Sequence, residues 1–122
     1  MSQTVMVVDD SRVVRMHIAR ALLDAGYTVI EAEDGLDAME KLAAVPGVAL
    51  IVCDVNMPRV DGLEFVEWLE QQASPPPVIM LTTEGHPQQI QRAKEHGAKG
   101  WMVKPLKPDA LVSAARRLIK AA

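Results

Sequence analysis

The chain has 122 residues, 49% of them hydrophobic and 24% charged, with a formal net charge of −3. That length makes one domain, able to bury roughly two-thirds of its surface without help from a metal or a disulfide. The acidic balance excludes a nucleic-acid footprint and a polybasic membrane patch. No apolar run approaches the roughly 20 residues of a bilayer span, and Met1-Ser2-Gln3-Thr4 lacks the basic start of a signal peptide. The single cysteine, Cys53, excludes an internal disulfide and fits a reducing, cytoplasmic compartment.

The first apolar run is Val5–Val8. Ser11 follows as an N-cap, and Val14, Ile18, Ala21, Leu22 and Ala25 recur at helical spacing until Gly26 stops the pattern. His17 falls on that stripe and is expected to be half-buried packing. The second run, Tyr27–Ala32, is more polar and reads as an edge strand. A helix then begins near Asp34-Gly35 and turns Met39 and Leu42 inward. The third run is Ala49–Cys53, and the helix after it carries Phe65, Val66, Leu69 and Ala73. It ends before Ser74-Pro75-Pro76-Pro77, a stiff connector. Trp68 on this helix is expected to be half-buried. The fourth run is Val78–Leu81, followed by a weak helical pattern over 88–96 that offers only Ile90 and Ala93 to a core. The fifth run is Gly100–Val103. The last helix starts at Pro108 and repeats Leu111, Ala115, Leu118, Ile119 and Ala122.

Every run except the second is apolar without a break, as expected of parallel strands covered on both faces. The alternation predicts a (βα)₅ chain. Right-handed crossovers make it an α/β, doubly wound, three-layer sandwich around a parallel sheet of five strands.

Ligands of such sheets bind outside the carboxyl ends of the strands, at the switch in strand order. Asp9-Asp10-Ser11 follows the first strand, and Asp54-Val55-Asn56-Met57-Pro58 with Asp61-Gly62 follows the third. Thr82-Thr83-Glu84-Gly85 follows the fourth and Lys104-Pro105 the fifth. Clustered aspartates raise one another's pKa unless a cation neutralises them. Hard oxygen donors suit Mg²⁺, and no histidine or cysteine has the spacing of a zinc site. With a lysine and a hydroxyl added, the set suits phosphoryl transfer, and a carboxylate can itself be the nucleophile. The plainer reading of each residue alone is a helix-capping loop residue. The reading as one site rests on their arrival at the ends of four separate strands.

These motifs resemble the response-regulator receiver domains of two-component signalling, of the chemotaxis single-domain type. Val7-Val8-Asp9-Asp10-Ser11, Cys53-Asp54-Val55-Asn56-Met57-Pro58, Asp61-Gly62, Leu81-Thr82 and Lys104-Pro105 carry the resemblance, which spans essentially residues 1–122 as one receiver domain. It implies the flavodoxin-like strand order 2-1-3-4-5 and a cis Lys104-Pro105 bond. It also implies that Asp54 accepts a phosphoryl group, and that Asp10 and Asp54 ligate Mg²⁺ with their side chains. Asn56 would do so with its carbonyl, and Asp9 through a water. Lys104 and Thr82 would contact the phosphoryl oxygens. Trp101 stands where the family carries tyrosine or phenylalanine, the aromatic that changes rotamer on activation. Implied partners are a sensor histidine kinase or phosphotransfer protein and a downstream target on the fourth helix, fifth strand and fifth helix. Neither nucleic acid nor membrane is implied, and a monomer is expected. If Ala122 is the natural end of the chain, output is expected to be a change in what binds that surface.

Three other functions compete with this one. A Mg²⁺-dependent aspartate-nucleophile phosphatase needs an aspartate-any-aspartate motif after the first strand, which Asp9-Asp10-Ser11 does not supply. A flavin carrier needs a phosphate loop there, and Asp9-Asp10 would repel it. A pseudo-receiver would bind partners without phosphorylation. Cys53 reads as inert core, and His86 and His96 have no metal-like partner. Met57 is a loop residue of the family, Thr83 a small residue beside the phosphoryl position, and Glu84 and Asn56 occupy its variable, lifetime-setting positions.

Overall fold

The computed structural model describes residues 3–83 and 87–121. The strands are β1 Thr4–Val8, β2 Thr28–Ala32, β3 Val48–Asp54, β4 Val78–Thr82 and β5 Gly100–Val103. The helices are α1 Arg12–Asp24, α2 Gly35–Ala44, α3 Gly62–Leu69, α4 Pro87–Glu95 and α5 Pro108–Ala121. All strand pairs are parallel, in the order β2-β1-β3-β4-β5. The chain steps outward to β2 and then back across β1 to β3, so the order reverses between β1 and β3. That reversal opens a crevice at the carboxyl ends of these two strands.

Alternate side chains of each strand enter opposite layers. Met6, Val8, Ile51, Cys53 and Met80 pack with Ala38 of α2, Phe65, Val66 and Leu69 of α3, and Ala93 of α4. Val5, Val7, Leu50, Val52, Ile79 and Leu81 pack with Ile18 and Leu22 of α1 and with Leu111 and Ala115 of α5. The strands thus have a helical layer on each face, the reason their apolar runs show no period-two alternation.

Local signals set most boundaries. Ser11 caps α1, its side chain accepting the Val14 N–H, and Gly26 ends it with φ +97°. Asp34 caps α2 through the Asp37 N–H. Asp61 and Glu64 form a reciprocal capping box on α3.

Some expectations need correction. His17 is exposed, because the buried stripe of α1 runs through Ile18, Ala19 and Leu22. Ala73 is exposed and outside α3, which stops at Leu69 and leaves the chain in turns before the prolines. Gly100–Val103 lies at an edge of the sheet: β5 pairs only with β4 and is half-buried, with Trp101 packed against one layer, Met102 against the other, and Val103 53% exposed. An apolar run does not reveal which strand finishes a sheet. Trp68 is half-buried as expected, its ring stacked on Phe65 with centroids 5.9 Å apart. Glu84, Gly85, His86, Met1, Ser2 and Ala122 lie outside the described residues.

Candidate acidic site at the switch point

β1 hands the chain to Asp9, whose N–H donates to the Ala32 carbonyl of β2 at 3.1 Å. Asp9 is fully buried. Its Oδ1 accepts the Ser11 N–H at 2.9 Å, and its Oδ2 accepts the Lys104 ammonium at 2.7 Å. Asp54 closes β3 with only 5% of its surface exposed, and Lys104 Nζ lies 3.2 Å from its Oδ1. Asp10 is exposed at the mouth. Asp9, Asp10 and Asp54 each offer a carboxylate oxygen, all within 4.8 Å of one another.

Burial pushes the Asp54 carboxyl above its usual range, and the Asp9 charge adds to it; Lys104 opposes both without prevailing. Burial alone would lower the Lys104 ammonium. Its hydrogen bond to Asp9 and the Asp54 and Asp9 charges outweigh that and hold it above its ordinary value. One ammonium therefore serves two buried carboxylates, with a third at the entrance. A hard divalent cation fits this donor set, which consists of carboxylate oxygens in excess of the cationic charge among the described residues.

The other anticipated residues surround this cluster. Thr82 is buried at the end of β4, one position past Leu81, the register partner of Asp54. Its carbonyl accepts the Lys104 N–H at 2.8 Å, and the Lys104–Pro105 bond is cis. Asn56 and Thr83 are exposed, and Met57 packs partly against the core. Trp101 pairs in register with Met80 and packs half-buried against that layer. Its Nε1 is buried with no acceptor among the described residues. Cys53 is fully buried, and burial first, then the Asp54 and Asp9 charges, pushes its thiol well up, so it stays protonated. His96 stands away from the cluster, its Nδ1 2.6 Å from Glu70 Oε1, beside an Arg92–Glu67 pair that also joins α4 to α3.

Two arginines were not anticipated. Arg15 Nη1 donates to the Asp9 carbonyl at 2.6 Å while its Nε donates to Glu31 at 3.1 Å, fixing the backbone beneath Asp9. Its place four residues after Ser11, one turn into α1, was the available signal. Arg59 grips Asp34, and nothing in the local sequence points to that contact across 25 positions. Burial alone would raise the Asp34 carboxyl, but the Arg59 hydrogen bonds and charge and the Asp37 and Leu36 N–H groups bring it below its usual range.

Fold and site together define a doubly wound α/β protein with an acidic, divalent-cation type of site at its switch point. The chain belongs to the response regulator receiver domain family, whose profile matches residues 5–116. It is 38% identical over 109 residues to chemotaxis protein CheY1 of Helicobacter pylori, covering 87% of this chain and 88% of that protein. It is 36% identical over 120 residues to response regulator MprA of Mycobacterium ulcerans, covering 98% of this chain but only 51% of that protein. Among solved structures, chemotaxis protein CheY4 of Vibrio cholerae superposes with a TM-score of 0.88 at 39% identity, covering 97% of this chain and 99% of that one. Receiver domains are signalling phosphoacceptors of two-component systems and generally bind Mg²⁺ in an acidic pocket. No helix among the described residues is long and apolar enough to cross a membrane.

Proposed function

We propose that this chain acts as a response-regulator receiver, taking a phosphoryl group onto Asp54 from a histidine kinase or phosphotransfer partner. The observation that carries this reading is the Asp54 carboxylate itself. It is nearly buried at the end of the central strand, with two aspartates and one lysine within reach. An Asp54 carboxylate oxygen attacks phosphorus, the donor P–N bond breaks, and the imidazole leaves with its electron pair and takes a proton from solvent. Asp9, Asp10 and Asp54 with the Asn56 carbonyl would hold a Mg²⁺ ion, which supplies charge neutralisation for the phosphoryl oxygens. The Lys104 ammonium, now shared by Asp9 and Asp54, turns to those oxygens, and the Thr82 hydroxyl donates to them.

Phosphorylation adds about −1.5 to −2 charge units. That charge draws Lys104 and the end of β4, which are already tied through the Thr82 carbonyl. The Trp101 N–H supports a role in the switch. A buried donor without an acceptor costs about 1–3 kcal/mol, which a rotamer reaching water or a carbonyl would regain. The readout face is α4, β5 and α5, where β5 is an edge that pairs only with β4 among the described residues and Val103 is exposed.

The test is incubation with acetyl phosphate and Mg²⁺. One acid-stable, hydroxylamine-sensitive phosphoryl group should appear on the wild type and none on Asp54→Asn. Labelling that survives in Asp54→Asn overturns the acceptor assignment, and turnover of many phosphate-ester substrates points to a phosphatase instead.

A further inference from the structure

Strand ends hold Asp9, Asp54 and Lys104, but the segment after Asp54 must be held by other means. Its near end is tied by the Val55 N–H donating to the Leu81 carbonyl at 3.0 Å and the Gly62 N–H donating to the Val55 carbonyl at 2.8 Å. At its far end, the Gly35 N–H donates to the Val60 carbonyl at 2.9 Å. A Cβ on Gly35 would stand 2.5 Å from that carbonyl oxygen, so the loop rests directly on the start of α2.

Arg59 completes this attachment. Its φ of +63° lies in the left-handed region, which residues bearing a Cβ seldom enter. From there its guanidinium takes both oxygens of Asp34, Nε to Oδ2 at 2.6 Å and Nη2 to Oδ1 at 3.1 Å, with Glu33 at 3.4 Å. Two parallel N–H···O bonds fix direction as well as distance, which an ammonium cannot do. Asp34 is 2% exposed, and its Oδ1 also accepts the Asp37 N–H at 2.9 Å. One buried carboxylate thus anchors a helix start and the loop that carries Asn56.

We propose that Arg59 and Asp34 are positioning residues, locking the loop after Asp54 so that the Asn56 carbonyl is held as the neutral ligand of a divalent cation shared with the aspartates. This rests on the reading of the cluster as a Mg²⁺-assisted phosphoacceptor site. Charge and geometry make opposite predictions for Arg59. Removing a cation near an acidic site strengthens the binding of another cation, whereas freeing a ligand-bearing loop weakens it.

The experiment is a Mg²⁺ titration of the full chain followed by ¹H–¹⁵N amide shifts, a readout independent of phosphorylation. Arg59→Gly keeps the positive φ accessible and removes the fork; its Mg²⁺ dissociation constant should rise about tenfold, the low end for residues that orient a metal ligand. Arg59→Lys, which keeps the charge, should also bind more weakly than wild type. Asp34→Asn retains an acceptor for the α2 cap and should weaken binding as Arg59→Gly does, with a native amide spectrum showing that it folds. Equal or tighter Mg²⁺ binding by Arg59→Gly overturns the positioning role. Wild-type and Asp10→Asn titrations separate the two failures. If wild-type shifts saturate and Asp10→Asn abolishes them while Arg59→Gly leaves the affinity alone, only the positioning role falls. If wild type gives no saturable shifts, the cation site falls and the inference with it.

Discussion

Replacing Gly62 with alanine sets two effects against each other, and their sizes decide the result. Gly62 is the first residue of α3, where helix propensity alone favours alanine by up to about 1 kcal/mol. Yet a Cβ there would stand 2.2 Å from the Asp54 carbonyl oxygen and 2.9 Å from Val55 Cα, both backbone atoms with no rotamer to escape into. Relief requires moving the end of β3 against its ladder with β4, or moving α3 with its buried Leu63, Phe65 and Val66. Overpacking costs about 1–3 kcal/mol and more where the neighbours cannot yield, so a cost near 4 kcal/mol less the propensity gain leaves about 3 kcal/mol of net destabilisation. For a chain of this length that is a drop in Tm of roughly 12 °C. In a urea titration it lowers the midpoint by about 1–2 M. The matched control is Gly97→Ala, where a positive φ of +103° is the only obstacle and a Cβ would meet open space. It should lose about 1 kcal/mol, the cost of placing an L-residue in the left-handed region. Far-ultraviolet circular dichroism in urea, without added metal, measures both. If Gly62→Ala is as stable as wild type, or no worse than Gly97→Ala, the packing of α3 on the Asp54 backbone is not as described.

Asp54→Asn should be more stable than wild type at pH 7 without metal. The folded Asp54 carboxyl sits above its ordinary value of 3.8, so stability falls as pH rises through that interval and stays lower at neutrality. Scanning calorimetry should show a higher Tm for the variant, a gain that disappears below pH 3; an equal or lower Tm at pH 7 contradicts the electrostatics. Lys104→Met should lower neutral-pH stability by about 3 kcal/mol or more, because it leaves buried Asp9 without its cation, and urea midpoints with and without Mg²⁺ should show the metal restoring part of the loss. His96 is held above its ordinary value of 6.5 by its hydrogen bond to Glu70. Its contribution is therefore complete below 6.5 and is lost as pH rises through the higher folded value, so His96→Gln should flatten the stability profile above pH 6.5. Beryllofluoride with Mg²⁺, a phosphoryl mimic, should change Trp101 fluorescence in a Trp68→Phe background; an unchanged signal removes the indole from the switch.

The order of elements was legible because each rests on local rules. Ser11, Asp34 and Asp61 cap the three helices that follow them, and Gly26 ends one. Unbroken apolar runs mark strands enclosed by helices, and a helix between each pair of successive strands makes every connection a crossover, which gives a parallel sheet. The gathering of these chemical groups was legible too, since a doubly wound sheet delivers whatever follows its strands to one edge. Asp9, Asp54 and Lys104 meet there as expected. The particular strand order, by contrast, came from the resemblance rather than from periodicity.

Less legible was anything decided by a partner far along the chain. The Gly100–Val103 run could not declare itself an edge, because exposure depends on whether another strand follows it in space. His17 and Ala73 fell on helical stripes whose burial the packed layers, not the periodicity, determine. Arg59 looked like an ordinary loop arginine until folding set it against Asp34. What this sequence determined by itself is therefore the set of elements and the chemical groups at their ends, since propensity, capping and apolar periodicity act within a few residues. Which carboxylate shares its ammonium, which strand stays at an edge and which arginine grips a buried aspartate were decided only by tertiary structure. Burial and Coulomb interactions depend on distance in space, and that distance exists only once the sheet has closed.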